Sequence, residues 1–108
     1  MACTGLSELL AKEHSLEVKV STISDKNQTD YYPGQEDIKV KLVYHPETNV
    51  LLGGEIVGKK GAVGRINALA VAITAKMTTQ QLGYMDFCYA PPFSRTWDAL
   101  NVAGNVAK

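Results

Sequence analysis

The side chains of this sequence best suited to chemistry are its tyrosines, and three of them stand beside prolines. Tyr31 and Tyr32 open the run Tyr31-Tyr32-Pro33-Gly34, and Tyr89 opens Tyr89-Ala90-Pro91-Pro92-Phe93-Ser94. A phenol with a pKa near 10 stays protonated at neutral pH and can donate a hydrogen bond, or its proton, to a developing anion. Such a donor works only when it is held still. Pro33, Pro91 and Pro92 fix φ and withhold backbone donors, so both segments read as stiff connectors outside helix interiors and central strands. Two readings stay open at this point: tyrosines that end an extended segment and pack half-buried, or phenols presented to something outside the domain.

The other reactive residues lack the spacing that chemistry requires. Cys3 and Cys88 have no partner at Cys-x-x-Cys or metal-ligand spacing, so each is expected to be a small buried hydrophobe. His14, at a helix end, and His45, at a hairpin tip, have no ligand set or nucleophile nearby and are expected to face solvent. Gly53 to Lys60 fits phosphate-loop spacing as far as Lys59, but Lys60 stands where a serine or threonine should hold magnesium, and Ile56-Val57 favour a strand. Gly58-Lys59-Lys60-Gly61 also fits the GXXG loop with which KH domains clamp a single-stranded nucleic-acid backbone. It gives the alternative reading of an autonomous binding module. In a KH domain that loop joins two helices, whereas here a strand precedes it.

The elements that must position these residues fit in one domain, residues 1–108. Eleven basic and eleven acidic residues leave no net charge, so no overall field draws in nucleic acid or an anionic membrane surface. The longest apolar run, around Ala68 to Ala75, is far short of the roughly 20 residues of a spanning helix, and the N-terminus lacks a signal segment. A cytoplasmic protein is expected.

Hydrophobic periodicity predicts an α+β fold: a mainly antiparallel sheet of about four to five strands covered by helices. Ser7 caps a short helix from Glu8 to His14 with Leu9 and Leu10 inward. Leu16, Val18 and Val20 alternate as a strand, Ser24 to Asp30 form a loop, and Asp37 to Val57 form a hairpin through His45-Asn49. Val63, Ile66, Ala70, Ile73 and Met77 then mark one face of a long helix from Ala62 to Met77. Thr78 and Gln81 make a capping box before a short helix with Leu82 and Tyr84 inward. Met85 to Tyr89 alternate as a short strand, and Ser94 caps a last helix in which Trp97, Leu100 and Val106 pack.

Taken in series, "TGLSELLAKE", "YYPG", "LVYHPETNVLLGGEIVG", "GRINALAVAITAKMTTQQL", "YAPPFS" and "NVAGNVA" resemble the C-terminal dimerisation domain of the flavin-dependent pyridine nucleotide-disulfide oxidoreductases. The likeness is greatest to the coenzyme A-disulfide reductase and NADH oxidase branch, and it covers essentially the whole chain. It implies an excised domain of a larger flavoenzyme that builds a homodimer and reaches the partner subunit's redox cysteine. FAD, NAD(P)H and coenzyme A are implied for the parent. No cofactor and no metal are expected in this piece, which lacks a dinucleotide fingerprint and is not itself the enzyme. The family's assisting tyrosines map onto Tyr31, with Tyr32 beside it, and onto Tyr89. Arg65 matches an arginine of the family's "RID" segment, but Asn67 replaces the acid and leaves a local ion pair without its partner.

Overall fold

A computed structural model describes residues 1–108. In chain order the strands are β1 (Ala2–Gly5), β2 (Lys19–Lys26), β3 (Asp37–Tyr44) and β4 (Leu51–Gly58). The helices are α1 (Glu8–Glu13), α2 (Ala62–Thr74), α3 (Thr79–Gly83) and α4 (Ala99–Val106). All strand pairs are antiparallel and the sheet order is β1-β4-β3-β2. The α+β fold therefore carries four strands, with the hairpin where alternation places it.

Alternation turns Ile38, Val40, Leu42 and Tyr44 of β3, with Ile56 of β4, toward one face of the sheet. There they meet Ala62, Ile66, Leu69 and Ala72 of α2, Leu82 of α3, and Leu100 and Ala103 of α4 in a single core. The buried stripe of α2 is rotated from the expected one. Leu69 takes the central place because Gly54 leaves room beneath it; a Cβ there would collide with the Leu69 Cδ2 methyl. Val63 and Val71 are consequently turned outward, 68% and 69% exposed. The helix also stops at Thr74, short of Met77, with Lys76 left-handed at φ 55°.

The opposite face is served by α1, whose Glu8 carboxylate bridges Lys41 at 2.8 Å and Lys12 at 3.2 Å. Those bonds hold the Glu8 pKa below its ordinary value. Only Ala11 of this helix is buried. Leu9 and Leu10 are exposed, against expectation, because a two-turn helix lying close to a sheet presents just one small residue to it.

Several other expectations are corrected. β1 was not foreseen; it adds to the free edge of β4 by backbone pairing, Ala2 opposite Ile56. β2 starts later and runs on through Ser24-Asp25-Lys26, since β3 supplies partners to Lys26 opposite Asp37 and those two side chains pair at 2.6 Å. Leu16 is left outside the strand and exposed. Met85 to Tyr89 form no strand. The Asn101 amide nitrogen donates to the carbonyls of Leu82 and Gly83 at the end of α3 and of Met85 at the head of this segment. Asp98, not Ser94, caps the last helix, so Trp97 lies ahead of it and is exposed, as are Val106 and Tyr84. Both cysteines are exposed. His45 is half-buried and does local work: its Nδ1 accepts from the Glu47 and Thr48 N–H groups and closes the hairpin turn. The Thr78-Gln81 capping box forms with both of its bonds, at 2.9 and 3.2 Å.

Candidate functional site

Tyr31 sits in the loop between β2 and β3, and Tyr89 in the extended segment after α3. The fold brings their hydroxyl oxygens to 3.0 Å across 58 residues of sequence. Both rings remain accessible, Tyr31 71% and Tyr89 47% exposed, so the pair is a surface feature and not a core contact. The shared bond makes the two phenols unequal. It raises the pKa of Tyr31 and lowers that of Tyr89, in each case chiefly through the bond to the other hydroxyl, with Thr29 lowering both. Tyr89 is thus the more acidic phenol of the two.

Both loops are tied down locally. The Gln28 amide donates to the carbonyls of Tyr32 and Pro33, and the Gln35 amide donates to Gln28 O, so the tyrosine-bearing turn is braced from within. Tyr32 is held by this backbone contact beside the pair. The second loop folds back on itself, since the buried Ser94 hydroxyl donates to Cys88 O. Thr29 Oγ1 donates to Ser94 O at 3.2 Å and joins one loop to the other.

Beneath the loops lies an ion pair that sequence reasoning missed. The Arg65 side chain on α2 is 9% exposed, and its Nε and Nη2 both bond the Asp98 carboxylate, the shortest contact being 2.7 Å. Nη2 also donates to Asn27 O at 3.0 Å and Phe93 O at 3.3 Å, and Nη1 donates to Gly61 O at 3.2 Å. The acid absent at Asn67 is supplied by Asp98, 33 residues on. One signal could have revealed it: an arginine next to Ile66 on the buried side of an otherwise apolar helix requires a buried partner. Removing either partner alone would cost about 3–5 kcal/mol, because the other charge would be stranded in the interior.

Gly58-Lys59-Lys60-Gly61 links β4 to α2, with both lysines exposed. The start of α2 is already taken: the Arg65 guanidinium covers Gly61, where an added Cβ would meet Nη1. That guanidinium is paired with the Asp98 carboxylate.

Residues 1–100 match the family model described as pyridine nucleotide-disulphide oxidoreductase, dimerisation domain. The chain belongs to that family. The domain is 40% identical over 105 residues to the NAD(P)H sulfur oxidoreductase (CoA-dependent) of Pyrococcus furiosus, covering 97% of this chain and 24% of the relative. It is 31% identical over 90 residues to the coenzyme A disulfide reductase of Staphylococcus aureus, 83% of this chain and 20% of that one. Among solved structures, the water-forming NADH oxidase from Lactobacillus brevis superposes with a TM-score of 0.90 at 28% identity, over 95% of this chain and 23% of that chain. The domain spans about a quarter of the length of the curated relatives it matches. The family match and the strand-to-helix setting of Gly58 to Gly61 lend the nucleic-acid reading no support.

Proposed function

We propose that this domain builds the homodimer of a cytosolic, FAD-dependent NAD(P)H disulfide oxidoreductase and presents the Tyr31–Tyr89 pair to the partner subunit's redox cysteine. The observation that carries the reading is the 3.0 Å bond between two exposed phenols from loops far apart in sequence. Tyrosines kept for packing would be buried against the core, whereas these keep their hydroxyl ends together and accessible. The relatives point to coenzyme A disulfides or persulfides as the substrate class. In this reading flavin and nicotinamide belong to the parent's other domains.

Reduction of the mixed disulfide between the redox cysteine and coenzyme A takes two electrons, which the parent's flavin would supply when bound; the S–S bond breaks, the cysteine is left as a thiolate and the coenzyme A sulfur leaves as a second thiolate. Tyr89 donates its O–H to that sulfur and can pass it the proton, while Tyr31 bonds the Tyr89 oxygen and steadies the charge left there. Tyr32 lies at the edge of this arrangement.

The test is stopped-flow measurement of both half-reactions for Tyr31→Phe and Tyr89→Phe in the full-length flavoenzyme. Loss of a donor to a developing thiolate should slow coenzyme A release by about 10- to 1,000-fold, by analogy with oxyanion donors, and leave flavin reduction nearly unchanged. Unaltered disulfide reduction in both variants would return the tyrosines to scaffolding.

A further inference from the structure

We infer that Arg65, paired with Asp98, is the positioning residue that sets the alignment of the two tyrosines. The inference rests on the donor role proposed above and extends it to a residue that touches neither phenol. Three segments that are distant in the chain end on this one guanidinium. Asn27 O belongs to the loop leading to Tyr31, Phe93 O to the loop following Tyr89, and Gly61 O to the start of α2. The Asp98 carboxylate fixes the plane of the guanidinium through Nε and Nη2 while it caps α4 by accepting from the Leu100 N–H. Both tyrosine loops are thereby referenced to the same rigid atoms, which sit in the core and not at the surface.

Geometry explains why an arginine is needed. A guanidinium is planar and offers five donors in fixed directions, so it faces the carboxylate edge and the carbonyls at once, with the two Nη2 N–H groups shared among Asp98, Asn27 O and Phe93 O. A lysine ammonium retains the charge but offers three donors from a single point, so it cannot keep Asp98 and all three carbonyls in their present directions. Outside this clamp, and apart from the phenol pair itself, Thr29 Oγ1 bonds Ser94 O between the loops, and Arg95 ties the second loop to Asp25 at the end of β2. Without Arg65 the hydroxyl separation would depend on the part-buried Thr29–Ser94 contact, the phenol bond and the Arg95–Asp25 pair. A donor displaced by about 1 Å can cost on the order of 100-fold in rate.

The experiment is a double-mutant cycle on the full-length flavoenzyme, with Arg65→Lys and Tyr89→Phe made singly and together. Expected for Arg65→Lys is a fall of about 10- to 100-fold in kcat for disulfide reduction, with the nicotinamide KM and the rate of flavin reduction unchanged. In the Tyr89→Phe background the same change should have almost no further effect, because an arginine acting through the pair has nothing left to align. Multiplicative losses in the double variant, or a destabilised Arg65→Lys enzyme with normal disulfide reduction below its melting temperature, would overturn the inference and leave Arg65 a stabilising contact only. If Arg65→Lys does not accumulate as folded protein, the paired change Arg65→Gln with Asp98→Asn enters the same cycle; it keeps a side-chain cap for α4 and strands no buried charge. Failure of the donor reading is separately visible: Tyr89→Phe alone would then leave disulfide reduction intact.

Discussion

At the scale of single residues, the unequal phenols predict how the chemistry depends on pH. Tyr89 can donate only while protonated, and its pKa is lowered from 10.0, chiefly by its hydrogen bond with Tyr31. The disulfide half-reaction should therefore hold at neutral pH and fall as pH rises through the lowered Tyr89 pKa, before an ordinary phenol would ionise. Tyr31→Phe removes the supporting bond, so the surviving rate should decline at higher pH than in the parent. Tyr89→Phe should abolish that limb of the profile. The measurement is the rate of coenzyme A release against pH, with flavin reduction by the nicotinamide as the internal control. A limb that persists unchanged in Tyr89→Phe would assign it to another acid.

At the scale of elements, the segment carrying Tyr89 has the direction it has because α3 and α4 approach closely. Gly104 makes that approach possible: a Cβ there would lie 2.6 Å from both Gly83 N and Thr79 O. Those are backbone atoms and cannot rotate aside. Gly104→Ala should push the helices apart, loosen the grip of Asn101 on the carbonyls of Leu82, Gly83 and Met85, and cost about 1–3 kcal/mol by overpacking. Thermal unfolding should show a melting point several degrees lower. Gly64→Ala is the matched control, since a Cβ there meets nothing within 4 Å and alanine favours the helix. Equal melting points for the two variants would show that α3 yields without cost.

At the scale of the whole molecule, the sheet and the core leave one long helix with apolar residues facing out. Val63, Asn67 and Val71 lie four apart along α2, all exposed, on the side away from Leu69. A domain of zero net charge places no electrostatic barrier against a second copy of itself. If this face contributes to the homodimer seam, Val71→Glu in the full-length enzyme should shift sedimentation from dimer toward monomer. The fold should be unaffected, because nothing in the core touches that position. A variant that remains dimeric would place the seam elsewhere on the domain. No helix of the molecule is long and apolar enough to cross a membrane.

The β3–β4 hairpin, helix α2 and the capping box before α3 were legible because their signals are local: a period of two, a period near 3.6, and hydrogen bonds between residues three or four apart. The six family segments likewise identified the domain and pointed to Tyr31 and Tyr89 as its candidate donors. What the tertiary structure alone decided are pairings between distant residues. β1 lies on the edge of β4 without any alternation of its own to announce it. Met85 to Tyr89 look like a strand by periodicity and form a loop whose first carbonyl is bonded by Asn101 from α4. Arg65 finds its acid 33 residues away, and Tyr31 finds Tyr89 58 residues away. A buried charge or a surface phenol states in the sequence only that it needs a partner. Which partner it obtains is settled when the sheet, α2 and α4 enclose a common core and leave those groups within hydrogen-bond reach.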